Sequence, residues 1–354
     1  MGIEFGLFEH LTRPRGVSLS ALYEQHLELV AKADQAGVHG YFVAEHHGHR
    51  LAMAPSQIPW LAAVARETER IRLGTLVSCL PLHQPLRLAE EVCMIDQLSQ
   101  GRFELGVGRG ISPFEHCLFG HAPDESWARF QEALALLIQA LTTGKMNGEG
   151  SSFYRFPEAD LSMEAWQRPL PPIWCPGNLE FAARNGFNFV LPLPITTEVR
   201  ERYDQAWQQG LDDPHRLNPA VTEPTLASAQ WLVVGETDEE ARKVAERANT
   251  ALATLMRRSI HIDPPHLQGT LAPLADDDPR RVFFDAEQVF GKRLALAGSP
   301  ETIRDYFLEY AAEGNANYFI VGFSFGDMTM EETARSLGLF LDAVLPAVRA
   351  NAAV

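Results

Sequence analysis

The chain has 354 residues, of which 46% are hydrophobic and 21% charged, a size and balance that suit one large α/β barrel with a sizeable core. Its net charge of −16, without a long basic run, argues against nucleic acid and anionic membrane as main partners. Cys79, Cys93, Cys117 and Cys175 form no C-x-x-C pair, "MGIEFGLFEH" lacks the pattern of a signal peptide, and no apolar run approaches the ~20 residues of a membrane span. Reduced thiols in a cytoplasmic protein are therefore expected.

In chain order, "IEFGLF" (3–8) reads as a strand, and Ser18 can cap a helix whose apolar positions Leu19, Leu22, Leu27 and Val30 keep helical spacing until Gly37. A second strand spans 40–44, with a helix over about 55–66. "IRLGTLVSCL" (71–80) is strand three, and its helix, 85–101, is closed by Gly101. "RFELGVG" (102–108) is strand four, followed by a helix over 126–144. Strands five, six and seven fall at 171–176, 187–192 and 228–235, with helices at about 178–184, 196–209 and 238–256. Strand eight spans 317–323 and a last helix runs over about 330–349. Eight strand–helix units predict a parallel sheet closed into a (β/α)8 TIM barrel, a single domain over 1–354. Residues 257–297, between helix seven and strand eight, exceed an ordinary connection and are expected to form an insertion, a candidate lid.

Residues just past the C-terminal end of a barrel strand face the active-site mouth. There, "EHHGH" (45–49) allows three readings. The first is a solvated loop. The second is a metal site of His46, His47 and His49, which the spacing supports poorly, because adjacent side chains on an extended segment point apart. The third is acid/base chemistry, since an imidazole titrates near pH ~6.5. At the end of strand four, "GVGRG" (106–110) sets glycines around Arg109, whose guanidinium can grip a phosphate, unless it is a surface arginine on a tight turn. At the end of strand five, "CPGN" (175–178) opens a helix whose N-terminal amides favour a phosphate, unless it is a plain Pro-Gly turn.

The stretches "AEHH" (44–47), 74–110 and 319–340, in this order and spacing, make the chain resemble the bacterial luciferase-like flavin monooxygenases from about residue 3 to 347. The resemblance implies a barrel with an insertion before its last strand. It also implies reduced FMN as a diffusible cosubstrate from a separate flavin reductase, and O2 adding at the flavin C4a to give a (hydro)peroxide. That species oxygenates a small organic substrate with an apolar body, such as an aldehyde. His46 matches the catalytic histidine, and Glu45 is expected to orient the site. Leu76–Val77 matches a cis peptide bond against the flavin ring, and Arg109, flanked by Gly108 and Gly110, matches the residue that binds the flavin phosphate.

Two departures stand out. Gly108 replaces a reactive cysteine and is expected to leave open space beside the flavin. Backbone amides of Gly177, Asn178 and Leu179 stand where the family has hydroxyl side chains. Phe8, Phe114, Leu193 and Phe323 are candidates for the pocket wall. Related proteins pair through the helices after strands two and three, and "WLAAVARET" (60–68) suits such packing, so a homodimer is expected. Rival readings are a catalytically silent flavin-binding protein or subunit, an F420-dependent dehydrogenase of the same superfamily, and a metal hydrolase.

Overall fold

The computed structural model describes residues 3–261, 281–282 and 286–352. Most of the expected insertion at 257–297 lies outside the described residues.

The elements alternate from the start. Strand β1 (Glu4–Glu9) leads to helix α1 (Leu19–Gln35), β2 (Gly40–Val43) to α2 (Gln57–Glu67), and β3 (Arg72–Thr75) with the short β4 (Ser78–Cys79) to α3 (Pro85–Leu98). After β5 (Phe103–Gly108) come α4 (Pro113–Leu118), α5 (Ser126–Thr143) and a two-stranded ribbon of β6 (Lys145–Met146) and β7 (Ala159–Asp160). Then follow β8 (Ile173–Trp174), α6 (Leu179–Asn185), β9 (Phe189–Leu191), α7 (Thr197–Gly210), β10 (Leu226–Val234) and α8 (Asp238–His261). The chain finishes with α9 (Ala286–Gly291), β11 (Ala295–Gly298), α10 (Pro300–Ala312), β12 (Tyr318–Gly322), α11 (Met330–Leu339) and α12 (Leu345–Ala352).

Eight parallel strands curl around an interior. β12, β1, β2, β3 and β5 pair in that order, β5 pairs β8, and β9 pairs β10, which pairs β12. A parallel bridge between Trp174 and Asn188 links β8 to the residue before β9. Side chains alternate across each strand. On β1, Phe5 packs outward on Phe307 of α10 and Phe340, while Phe8 joins the inner group of Phe42, Trp174, Val190, Ala227, Tyr318 and Ile320. Glycine is required at two inner positions. A Cβ on Gly40 would lie 2.5 Å from the Tyr318 hydroxyl, and one on Gly74 2.5 Å from the Phe42 ring. Each buried ring contributes about 1.5–3 kcal/mol, so alanine here trades a favourable ring position for a clash.

The helices form for local reasons. Ser18 caps α1 by accepting from the Ala21 amide, and Leu22, His26, Leu29, Val30 and Ala33 make its buried stripe. The single helix expected at the C-terminus is interrupted by a π-turn over Phe340–Val344, just ahead of Pro346. Proline has no N–H for the residue four before it, and the wider turn absorbs that loss. Strand three is likewise divided: the Leu76–Val77 peptide bond is cis, and it separates β3 from β4. Helix α10 fills a stretch for which no element was expected, although Ser299, Pro300 and Glu301 are an N-terminal signature and the Ser299 hydroxyl accepts from the Thr302 amide.

Candidate active site

Two carboxylates organise the histidines beyond β2. His46 Nδ1 lies 3.0 Å from Glu115 Oε1, His49 Nε2 lies 3.0 Å from the same oxygen, and the His47 amide donates to it at 2.9 Å. The His47 ring turns the other way, to Glu45 at 2.9 Å, as alternation along an extended segment requires. Glu45 also binds His83 Nε2 at 2.8 Å and accepts from the Cys79 amide at 2.9 Å. Glu45, expected to orient the site, makes none of these contacts to His46. Glu45 ties the segment after β2 to β4, and Glu115, from α4, holds His46.

The electrostatics fix the tautomers. Burial opposes charge on Glu115, but hydrogen bonds from His46 and His49, the charge of His46 and the His47 amide bring its carboxyl down to about 2. An ionised carboxylate only accepts, so His46 Nδ1 and His49 Nε2 each carry a proton. His49 Nδ1 accepts from the Leu51 amide at 3.3 Å, which agrees with that tautomer. With Nδ1–H held by Glu115, Nε2 is the ring nitrogen of His46 left to accept or give a proton. The ligand atoms of His46, His49 and Glu115 lie within 4.8 Å of one another, a donor set that a metal ion also accepts. Hydrogen bonds already satisfy the shared carboxylate oxygen. At the other carboxylate, burial opposes charge on His83 but the Glu45 carboxylate raises its pKa, and Glu45 itself is lowered by His83 and His47 against the effect of burial.

His46 stacks on His10, with ring centroids 5.3 Å apart and planes 16° from parallel. Burial, then the neighbouring His46 and His49, hold His10 well below the usual imidazole range, so it is neutral. His10 lines an apolar cavity of about 260 Å³ whose walls include Phe8, Leu76, Trp231, Leu252 and Met256. Of the four aromatic and aliphatic candidates, Phe8 alone lines this cavity. Phe114 packs beside Gly48, while Leu193 and Phe323 belong to core clusters.

The glycines and the phosphate candidates are placed as follows. A Cβ on Gly108 would lie 2.5 Å from Val77 Cγ2, so the open space expected there is filled by Val77. The thiol nearest in register is Cys79, paired with Gly108 across β4 and β5, and burial together with Glu45 and Glu115 pushes its pKa well up. It is a neutral thiol and a poor nucleophile. At Gly110, φ is +82° and a Cβ would sit 3.3 Å from His116 Nε2. Arg109 is exposed, with Nη1 3.5 Å from the Ser126 hydroxyl. Because Gly106 pairs with Trp174, Arg109 and Gly177 each follow that pair by three residues, past the ends of two adjacent strands. Gly177 has φ +92° and nothing within 4 Å of a Cβ position. The Asn178 side chain caps α6 by accepting from the Phe181 amide at 3.0 Å, and the Leu179 side chain is buried.

Glu115 and His10 were not legible as site residues. The signal for α4 was present: Ser112, Pro113 and Glu115 are an N-cap, a first-turn proline and an acidic first turn. Six residues are too few to show helical periodicity. His10 ends "FEH", directly after β1, where the rule applied to Glu45 and His46 applies equally.

Comparison with known proteins identifies the family. The family model described as "Luciferase-like monooxygenase" matches residues 3–316. The chain belongs to that family of flavin-dependent oxidoreductases. It is similar to the oxygenase component of a flavin-dependent trigonelline monooxygenase from Acinetobacter baylyi, at 28% identity over 98% of this chain and 95% of the relative. Among solved structures it resembles the monooxygenase RslO1 from Streptomyces bottropensis, with a TM-score of 0.78, 28% identity, and 97% and 99% of the two chains covered. It also shares its fold with the oxygenating constituent of 3,6-diketocamphane monooxygenase from Pseudomonas putida, solved in complex with FMN, at a TM-score of 0.72, 19% identity, and 98% of each chain covered.

Proposed function

We propose that this protein is an oxygenase component. On this reading it takes reduced FMN from a separate reductase and, with O2, oxygenates a small organic substrate with an apolar body. The observation that carries the proposal is the pairing of His46 and Glu115 beside an apolar cavity whose wall includes Leu76, next to the cis bond. The residues present fit FMN. The cavity walls suit a flat ring, the polar side chain of His10 faces it without a hydrogen bond, and Arg109 with the open backbone at Gly177 suits a phosphate. The ring of strand pairings supports a closed (β/α)8 barrel as the scaffold.

Leu76, Val77, Gly108 and Gly110 would bound the ring, while Arg109 and the amides of Gly177, Asn178 and Leu179 would hold the phosphate. Reduced FMN, when bound, supplies the electrons that activate O2. His46 takes and returns a proton at Nε2 while Glu115 keeps its Nδ1–H in place. Phe8, Trp231, Leu252 and Met256 exclude water, which would otherwise divert reducing power into hydrogen peroxide.

Arg109→Ala is expected to weaken FMN binding by roughly 10–100-fold, the worth of a charge-assisted hydrogen bond, and to leave riboflavin binding unchanged. Fluorescence titration of both flavins checks this, and equal losses would remove Arg109 from the phosphate site. The same titration with F420 tests the deazaflavin rival.

The homodimer is also proposed, by way of α3. Met94 and Leu98 share one exposed helix face, and the Gln97 side chain donates to the Glu164 carbonyl, bringing exposed Trp166 alongside. Met94→Glu combined with Trp166→Glu is expected to yield monomers in analytical ultracentrifugation. An unchanged sedimentation coefficient would move the interface elsewhere. The cysteines are free, in keeping with a cytoplasmic protein, and no helix among the described residues is long and apolar enough to cross a membrane.

A further inference from the structure

Three donor atoms from two segments meet beyond β2. His46 Nδ1 and His49 Nε2 each lie 3.0 Å from Glu115 Oε1, and the three atoms fall within 4.8 Å of one another. In tetrahedral zinc, bonded at about 2.0–2.1 Å to imidazole nitrogen and carboxylate oxygen, neighbouring ligand atoms stand about 3.3 Å apart. Two edges of that tetrahedron are therefore close to length, and turning the two rings closes the third. His46 and Glu115 are buried, but the His46 side chain keeps 10% of its surface open, which gives an ion a way in.

The surroundings favour a cation. Glu115 is ionised, and Glu45 is a second buried carboxylate, close enough that both act on Cys79. Among the described residues the two carboxylates are ion-paired with histidines alone. Two imidazole nitrogens and a carboxylate oxygen suit zinc or cobalt, whereas magnesium and calcium take oxygen ligands. Without an ion, both rings donate N–H to Glu115 Oε1. With one, the same nitrogens present lone pairs, and each ring carries its proton on the other nitrogen. The cost is the bond from the Leu51 amide to His49 Nδ1, at 3.3 Å the longest in the group. For His46 the exchange is decisive. Its Nε2 becomes an N–H, and the ring cannot turn back while the ion holds Nδ1.

We propose that His46, His49 and Glu115 bind one divalent ion of the zinc class, with water as the fourth ligand, and that the bound ion silences the protein by removing the proton acceptor at His46 Nε2. The silencing rests on the oxygenase reading. The ion site does not.

The test titrates Co2+ into the full-length protein after chelation, follows the visible absorbance of the cobalt, and then displaces it with Zn2+. One equivalent is expected to bind with the intense bands of four-coordinate cobalt. His49→Gln keeps a side-chain donor to Glu115 but is a poor ligand. It is expected to weaken the ion by about 100-fold, the upper end of what even an outer partner of a metal ligand is worth. Glu115→Gln carries the same expectation, and His83→Ala, which strips a ring from the neighbouring Glu45 group, should change nothing. Weak six-coordinate spectra, or equal affinity in the wild type, His49→Gln and Glu115→Gln, would overturn the site and leave an adventitious ion only. The silencing is read on protein loaded with reduced FMN. One equivalent of Zn2+ should speed flavin reoxidation to the rate of His46→Ala, and zinc that binds the triad without changing that rate would overturn it. If the metal-free protein reoxidises its flavin no more slowly than free flavin, the oxygenase reading fails, and the cobalt spectra alone decide the site.

Discussion

His46→Ala is expected to lower oxygenated product per reduced FMN by about 10²–10⁴-fold, the usual contribution of a positioned acid/base group, with FMN affinity nearly unchanged. The reducing equivalents should appear as hydrogen peroxide instead. The reason is geometric. His46 is buried, its Nδ1–H is committed to Glu115 at 3.0 Å, and its Nε2 is the ring nitrogen left to accept or give a proton. Alanine removes that atom and leaves the cavity walls of Phe8, Leu76 and Trp231 intact. Parallel assays of product and peroxide check the result. A variant that couples as well as the wild type would show that the proton moves elsewhere.

Glu115→Gln should cost about 10²-fold in the same assay, although Glu115 does not line the cavity. Three donors converge on its Oε1: the His46 ring, the His49 ring and the His47 amide. A neutral amide oxygen holds them less firmly, and its N–H2 repels whichever donor it faces. His46 is then free to turn or to change tautomer, a loss known to matter where a carboxylate orients a catalytic imidazole. Glu45→Gln is the control. It disturbs His47, His83 and the Cys79 amide while leaving the His46–Glu115 contact, so its effect on coupling should be smaller.

Stability gives an independent reading of Glu115. Its pKa falls from 4.5 in the unfolded chain to about 2 in the folded protein. Its contribution is therefore complete above pH 4.5 and lost as pH falls toward about 2. The stability advantage of wild type over Glu115→Gln should be flat at neutral pH and shrink by about 3 kcal/mol across that acid window. Denaturant unfolding at a series of pH values measures it. An advantage independent of pH down to about 2 would mean that Glu115 is not a paired, ionised carboxylate.

The barrel elements were legible because their signals are local. Alternating strands, the Ser18 cap and the Gly37 and Gly101 stops need only neighbours in sequence, and His46 and Arg109 follow from the strand-end rule. The partners were not legible because they are set in three dimensions. Glu115 reaches His46 across 69 positions, and His10 meets His46 by stacking between two strand ends. Nothing near Gly108 in sequence told that Val77 would fill its space; that follows from the register of β4 against β5. Short helices such as α4, six residues long, span fewer than two turns and do not repeat the pattern that reveals longer ones.

The central claim is that this protein binds reduced FMN and controls its reaction with O2. The most direct test is to load the protein anaerobically with reduced FMN, mix it with oxygenated buffer and follow absorbance across the flavin bands. Oxidised FMN is expected to return in two resolved steps, far more slowly than for free flavin, and His46→Ala to shorten or remove the delay. Reoxidation at the rate of free flavin, with bound flavin demonstrated in the same sample, would contradict it.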